Sequence, residues 1–178
     1  MKKLLPIIVF AVILLLPPNA LAQDSSPAAT TAREKLLMQK EGKLEKNASR
    51  AAQLRTKLQT FKNKIKAKTV QRISDNLNRI NKKRTDDMAG YLARMTEIQN
   101  KLSKNAPNAS ASAAIETAKG VVLLQSQKDY TVSVTTESRV KTDAKTMRDQ
   151  LSADLLATRK LVIAAKQALM EGVRRNGQ

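Results

Sequence analysis

The sequence contains no cysteine, histidine or tryptophan, and aromatic residues make up only 2% of its 178 residues. The lack of cysteine excludes a disulfide framework and a thiolate metal site, and the lack of histidine removes the commonest metal ligand and general base. With 5 glycines and 5 prolines, the chain also has few of the residues that a β-sandwich or a glycine-rich nucleotide fold needs. These absences indicate an elongated helical protein.

No catalytic, cofactor-binding or metal-binding residue is predicted. Asp86 and Asp87 form an acidic pair, but neighbours on a helix point roughly 100° apart and do not converge on one ion. No histidine is present to activate a serine or threonine, and the chain has neither a Walker-type phosphate loop nor a G-x-G-x-x-G motif. Composition alone leaves a serine–lysine dyad open, although no motif supports one. We therefore expect a protein without enzymatic activity or cofactor.

The amino terminus has the pattern of an export signal. Two lysines precede an apolar run over residues 4–16, and Ala20-Leu21-Ala22 then supplies the small-x-small pattern that signal peptidase reads. The pattern predicts a signal peptide over residues 1–22 that is cleaved before Gln23, and hence a periplasmic, envelope or extracellular protein. A retained membrane anchor is the alternative, but a span needs roughly 20 apolar residues. Cleavage leaves 31 basic and 15 acidic residues, a net charge of +16.

Hydrophobic periodicity predicts an all-α protein, an elongated helical bundle or hairpin with one very long basic helix. In chain order the predicted segments are a disordered lead-in (23–31), the long basic helix (32–103), a turn (104–112), a second helix (113–127), a short extended crossover (128–136) and a long C-terminal helix (137–174). We expect the first half of the long helix to project as an arm from a three-layer bundle. Such an arm could not bury its apolar stripe alone, which favours self-association through it.

Two patterns refine this prediction. Apolar residues from Leu54 to Leu102 recur at a mean of about 3.7 residues, nearer an 11-residue repeat than a heptad. Tyr130, Val132 and Val134 alternate with hydroxyl residues, as in a β-strand. Because no second strand candidate follows the predicted signal peptide, we interpret this segment as an extended crossover packed on helices, with pairing between chains as the alternative.

Positive charge is concentrated in residues 46–84, which hold 13 basic residues and one acidic residue. An anionic polymer or an anionic lipid surface would be attracted to this stretch. A solvated helix that keeps the protein soluble is the third interpretation. Sequence-specific nucleic-acid binding is disfavoured, because the stretch has one aromatic residue and no known recognition motif. The residues expected to form a diffuse polyanion-binding surface are Arg55, Lys57, Lys62, Lys64, Lys66, Lys68 and Arg72.

Three features together resemble the uncharacterised exported helical proteins of candidate-phylum bacteria with small genomes. They are the signal peptide, the basic helix from Lys57 to Arg84, and the segments Lys128-Asp-Tyr-Thr-Val-Ser-Val and Asp149-Gln-Leu-Ser-Ala-Asp-Leu-Leu-Ala-Thr-Arg-Lys-Leu-Val. The resemblance implies a helical fold and an envelope location, and no activity. The size, signal peptide, high pI and long helices are also similar, more loosely, to those of basic periplasmic holdase chaperones.

The function expected from the sequence is that of a non-enzymatic exported envelope protein. It would bind or scaffold through its basic helical arm, which would contact a polyanion or an anionic surface. A periplasmic holdase-type chaperone and a purely structural coiled-coil protein are the alternatives.

Overall fold

A computed structural model describes residues 27–103 and 108–176 of the chain. They form four α-helices: α1 (Pro27–Gln59), α2 (Lys64–Ser103), α3 (Ala109–Ser126) and α4 (Val140–Asn176), with a single 3₁₀ turn, Glu137–Arg139, leading into α4. The described residues contain no strand, and the predicted all-α fold with its long C-terminal helix is confirmed. The predicted signal peptide and residues 23–26 of the predicted lead-in lie outside this part of the chain.

The helix predicted over residues 32–103 is in fact two helices, because the chain turns at residues 60–63. Asn63 caps the start of α2, and its Oδ1 accepts hydrogen bonds from the N–H groups of Ile65 and Lys66, both at 3.0 Å. The Thr60 hydroxyl donates to the Lys57 carbonyl at 2.7 Å, at the end of α1. Such local side-chain bonds compete with helix continuation, and asparagine is among the best N-cap residues.

The turn folds α1 back onto the rest of the molecule, so the predicted projecting arm is corrected for the second half of α1. Leu54, Leu58 and Phe61 are buried in one core cluster with Val70 and Val132. Nearer the middle of α1, the Lys43 ammonium donates to the Gln127 side chain at 3.0 Å. Burial of these three large apolar side chains favours the folded-back arrangement over a solvated arm.

The predicted disordered lead-in is also corrected where the structure describes it, since α1 begins at Pro27. Proline is well suited to the first position of a helix, because its missing N–H would have no partner there. The alanines and threonines that follow do not interrupt the helix.

Residues 128–136 cross over between α3 and α4 without forming a helix or a strand. Tyr130, Val132 and Val134 point into the core, whereas the hydroxyl residues between them face outward. Side chains of α2 replace a partner strand: the Val132 N–H donates to Ser74 Oγ at 3.1 Å and the Tyr130 N–H to Asn78 Oδ1 at 2.8 Å. The strand-like pattern is thus satisfied by packing on helices.

The buried face of α2 differs from the predicted apolar stripe. Ile65 is 78% exposed and Ile80 is 42% exposed. Leu77 and Met95, which belong to the predicted stripe, are buried. The full set of buried residues on α2 recurs at spacings of three or four, apart from one wider gap, and includes four polar side chains: Ala67, Val70, Ser74, Leu77, Asn81, Thr85, Leu92, Met95 and Gln99. The predicted stripe therefore lies mostly about one residue away from the buried positions of α2. It assumed one continuous helix through residues 60–63, and it did not include the buried polar residues.

The remaining boundaries differ by a few residues. Asn108 caps α3, accepting from the Ala111 N–H at 3.0 Å, so that α3 begins four residues before the predicted second helix. With the carboxyl half of α2, α3 and α4 enclose a second core cluster that contains Leu92, Ile115 and Leu169. The first core cluster lies under the crossover, between α1, α2 and α4. Each half of the bundle therefore has a core of its own.

Candidate functional site

The turn at residues 60–63 gathers the predicted polyanion-binding residues at one end of the bundle. Arg55 and Lys57 lie at the end of α1, and Lys62 lies in the turn. The other four lie in the first nine residues of α2, which span about 12 Å of helix. We call this set the basic surface: Arg55, Lys57, Lys62, Lys64, Lys66, Lys68 and Arg72, all of which are exposed.

No member of the basic surface forms an ion pair with a carboxylate among the side chains that the structure describes. Lys64 Nζ donates to the Gln59 carbonyl at 3.0 Å, where the last carbonyls of α1 attract a cation. The acidic pair Asp86 and Asp87 lies further along α2, and Asp86 pairs there with Lys82 at 2.6 Å. The positive charge at the turn is therefore not neutralised by direct contact.

The backbone of the turn already holds an internal anion. Glu137 accepts from the Lys62 N–H through Oε2 and from the Asn63 N–H through Oε1, both at 3.0 Å. The next N–H groups, those of Ile65 and Lys66, bind the Asn63 side chain. An external anion thus meets the side-chain charges of the basic surface and not a vacant backbone cradle, which makes its attraction diffuse.

The start of α4 adds charge beside the turn. The pKa of Asp143 is lowered, first by the hydrogen bond from the Thr135 N–H at 2.8 Å and then by other contacts, including the nearby Arg139 and Lys57. Lys145 and Arg148 both pair with one carboxylate, that of Asp149. The acids near the turn are therefore mostly engaged by the protein itself.

A buried polar network joins the crossover to its neighbours. The Tyr130 hydroxyl donates to Asp154 at 2.7 Å and accepts from Gln125 Nε2 at 2.6 Å. Asn81 donates to the carbonyls of Gln125 and Lys128 at 3.0 and 3.2 Å. Burial, with Asp154 as a second cause, raises the pKa of Tyr130 well above its usual range. Tyr130, Gln125 and Asn81 are buried, whereas the Asp154 side chain is 26% exposed. The network therefore links the crossover to α2, α3 and α4 by hydrogen bonds that polarise and support one another.

A groove between α2 and α4, which sequence reasoning missed, lies on another face. Two depressions of about 760 and 720 Å³ line up along it. Their linings recur every seven residues on each helix, at Leu77, Arg84 and Tyr91 of α2 and at Lys145, Ser152, Arg159 and Lys166 of α4, so both follow one face of the pair. The signal in the sequence was the set of apolar residues that the single predicted stripe assigned to the core, among them Ile73 and Tyr91.

In residues 27–103 and 108–176, no cluster of three or more acidic, histidine or cysteine side chains could hold a metal ion. No helix in this described part of the chain is both long and apolar enough to cross a membrane.

Comparison with the models of known protein families, with curated proteins and with solved structures finds no match to this chain. The interpretation of both surfaces therefore follows from the residues themselves.

Proposed function

We propose that this chain is a non-enzymatic exported protein that binds an anionic polymer or anionic surface through its basic surface. The observation that carries the proposal is the gathering of seven exposed bases, without a carboxylate partner among the described side chains, around one turn. Uncompensated charge of one sign raises the local concentration of a polyanion and speeds its association. Export is part of the proposal because of the predicted signal peptide.

The mode of binding is electrostatic and independent of sequence or fine structure in the ligand. Phe61 is the one aromatic residue of the basic stretch 46–84, and only 4% of its surface is exposed, so it cannot stack on a base. The N–H groups at the start of α2 are occupied by Glu137 and Asn63. Long, mobile lysine and arginine side chains that contact phosphate, carboxylate or sulfate groups remain, and such contacts weaken steeply with salt.

The test is a matched pair of charge-reversed variants of the chain without the predicted signal peptide. One variant carries Arg55→Glu, Lys64→Glu, Lys68→Glu and Arg72→Glu in the basic surface. The control reverses four exposed bases in the other half of the bundle, Arg94→Glu, Lys101→Glu, Lys160→Glu and Arg174→Glu. Both change the net charge equally, and both sets lie on exposed positions.

Binding to a labelled DNA duplex, as a generic polyanion, and to vesicles containing anionic lipid is measured at low salt. We expect the first variant to lose at least about a hundredfold in affinity, because four contacts become repulsive. We expect the control to lose much less. Equal losses would mean that net charge alone attracts the ligand, and unchanged binding by the first variant would contradict a role for the basic surface.

A further inference from the structure

We infer that the groove between α2 and α4 binds an amphipathic helix of a partner protein whose apolar seam is flanked by acidic residues. The α2–α4 groove comprises the two depressions lined by residues 66–91 of α2 and by residues 137–166, which include the 3₁₀ turn and the first part of α4. It is separate from the basic surface except at Lys66, so the inference does not depend on the proposed function.

Exposed apolar side chains form the floor and edge of this groove. Tyr91 is 41% exposed, Leu156 56% and Ile163 44%. Val140 and Ala144 continue the apolar lining toward the start of α4. Large apolar side chains that line one elongated depression, rather than being scattered singly over the surface, are typical of a surface that another molecule covers.

The spacing of these residues fits a helix. Leu156 and Ile163 line the groove seven residues apart on α4, and the exposed Met170 continues this spacing beyond it. On α2, Ile98 lies beyond the groove, seven residues after Tyr91. One apolar residue every seven positions matches one of the two seam positions of a coiled coil, in which knobs of one helix enter holes formed by the next. Two neighbouring helices with such seams on one side present the holes that a further helix would fill.

The rim of the groove decides the charge of the occupant. Arg84 contributes from α2, and Arg159 and Lys166 from α4. Lys66, Lys141, Lys145 and Arg148 line the other depression, where Lys145 and Arg148 share one carboxylate, that of Asp149. The acids in the lining are Glu137, which is bound to the backbone of the turn, and Asp87. Acidic residues beside the seam of a partner helix would therefore meet complementary charge, as at the flanking positions of coiled coils.

A second copy of this chain fits the groove less well. If two copies met groove to groove, the basic rims would lie against each other, and juxtaposed like charges are unfavourable. An anionic lipid surface would match the charge but not the concave shape, since a flat bilayer reaches the edges of a groove before its floor.

The probe is a synthetic 25-residue helical peptide with leucine at the a and d positions of its heptads and glutamate at the flanking positions. A second peptide carries lysine in place of glutamate. Binding to the chain without its predicted signal peptide is followed by fluorescence anisotropy. We expect the glutamate peptide to bind at least tenfold more tightly than the lysine peptide.

Paired variants locate the binding. The double substitution Leu156→Glu and Ile163→Glu places negative charge in the groove at exposed positions. We expect it to weaken binding of the glutamate peptide at least tenfold. Leu123→Glu with Leu124→Glu, at positions of similar exposure on α3, is the control and should change little. The charge-reversed variant of the basic surface should still bind the glutamate peptide. This result would distinguish binding at the groove from polyanion binding at the basic surface. Circular dichroism confirms that each variant keeps its helices.

Several results would overturn the inference. Equal binding of the two peptides, or equal loss in the groove and control variants, would show non-specific attraction. A dimer in sedimentation that the groove variant dissociates would identify a second copy as the occupant. Loss of vesicle binding in the groove variant, with peptide binding unchanged, would identify lipid. Suppression of client aggregation that the groove variant abolishes, without peptide binding, would favour a holdase.

Discussion

Tyr130 shows how a single side chain joins three segments of this fold. Its ring is buried among α1, α2 and α4 side chains, and its hydroxyl links Gln125 at the end of α3 to Asp154 on α4. Lys128 also reaches Asp154, at 3.0 Å. A buried hydroxyl needs such partners, because water is not there to replace them.

We predict that Tyr130→Phe lowers the free energy of unfolding by about 1–3 kcal/mol, because Gln125 and Asp154 each lose a partner in a mostly buried setting. Urea denaturation followed by circular dichroism measures the change. Tyr91→Phe is the matched control, since Tyr91 lies 41% exposed in the groove, and it should change stability by no more than about 0.5 kcal/mol. Similar effects of the two substitutions would show that the network contributes little.

Asp154 also makes stability depend on pH. Burial acts to raise its pKa, but hydrogen bonds from Tyr130 and Lys128 outweigh burial, so that the pKa is lowered overall. A carboxyl whose pKa is lower in the folded chain contributes stability above its unfolded pKa of about 3.9, and loses it as the pH falls through the folded value.

The free energy of unfolding of the wild-type chain is compared with that of the Asp154→Asn variant at two pH values. We expect this substitution to destabilise the protein at pH 7 and to have a smaller effect at acidic pH, because the charged form of the carboxyl is lost as the pH falls through its lowered pKa. Urea denaturation at the two pH values measures the difference. A destabilisation that does not change with pH would contradict a role for the charged form of Asp154.

At the scale of elements, the turn at residues 60–63 is the feature that the sequence did not predict. Lysine and asparagine occur within helices, and the apolar spacing continues through Phe61, so local pattern gave no reason to end the helix there. Part of what fixes the turn comes from Glu137, 74 residues away from Asn63. A contact of that range cannot be deduced from periodicity, which explains why one helix was predicted in place of two.

The start of α3 lies against the last part of α4, and this contact provides a second test at the scale of elements. A Cβ added at Gly172 would come within 3.0 Å of Asn108 Cγ, whereas at Gly120 no atom lies within 4 Å. Asn108 caps α3 and also donates to the Ala168 carbonyl at 3.4 Å. The close approach of α4 to this cap requires a residue without a side chain.

We predict that two glycine-to-alanine substitutions change the stability of the fold in opposite directions. Gly172→Ala should lower stability by about 1 kcal/mol, because it displaces the Asn108 cap. Gly120→Ala should raise stability by about 0.5–1 kcal/mol, since it is helical with open space around it. Thermal unfolding of both variants measures the difference, and a stabilised Gly172→Ala protein would contradict the described approach of α4 to Asn108.

At the scale of the whole molecule, composition and period predicted the helical class and the crossover. The seven bases of the basic surface were selected from the sequence, although not the turn that gathers them, and their role in binding stays a prediction. Hydrophobic periodicity did not predict the buried polar positions of α2, such as Ser74 and Asn81. These side chains form hydrogen bonds to residues 125–132, and contacts between distant segments cannot be deduced from periodicity. For the same reason the α2–α4 groove was missed: apolar residues that line it were assigned to the core.

A salt titration tests whether the net positive charge of the basic surface at the turn binds polyanions. Affinity of the chain without its predicted signal peptide for a labelled DNA duplex is measured between about 50 and 200 mM salt, a range in which phosphate contacts weaken strongly. We expect the logarithm of the binding constant to fall linearly with the logarithm of the salt concentration. The magnitude of the slope should decrease by about four when Arg55, Lys64, Lys68 and Arg72 are replaced by glutamate. Binding that is absent at moderate salt, or a slope that the reversal leaves unchanged, would contradict this role of the basic surface.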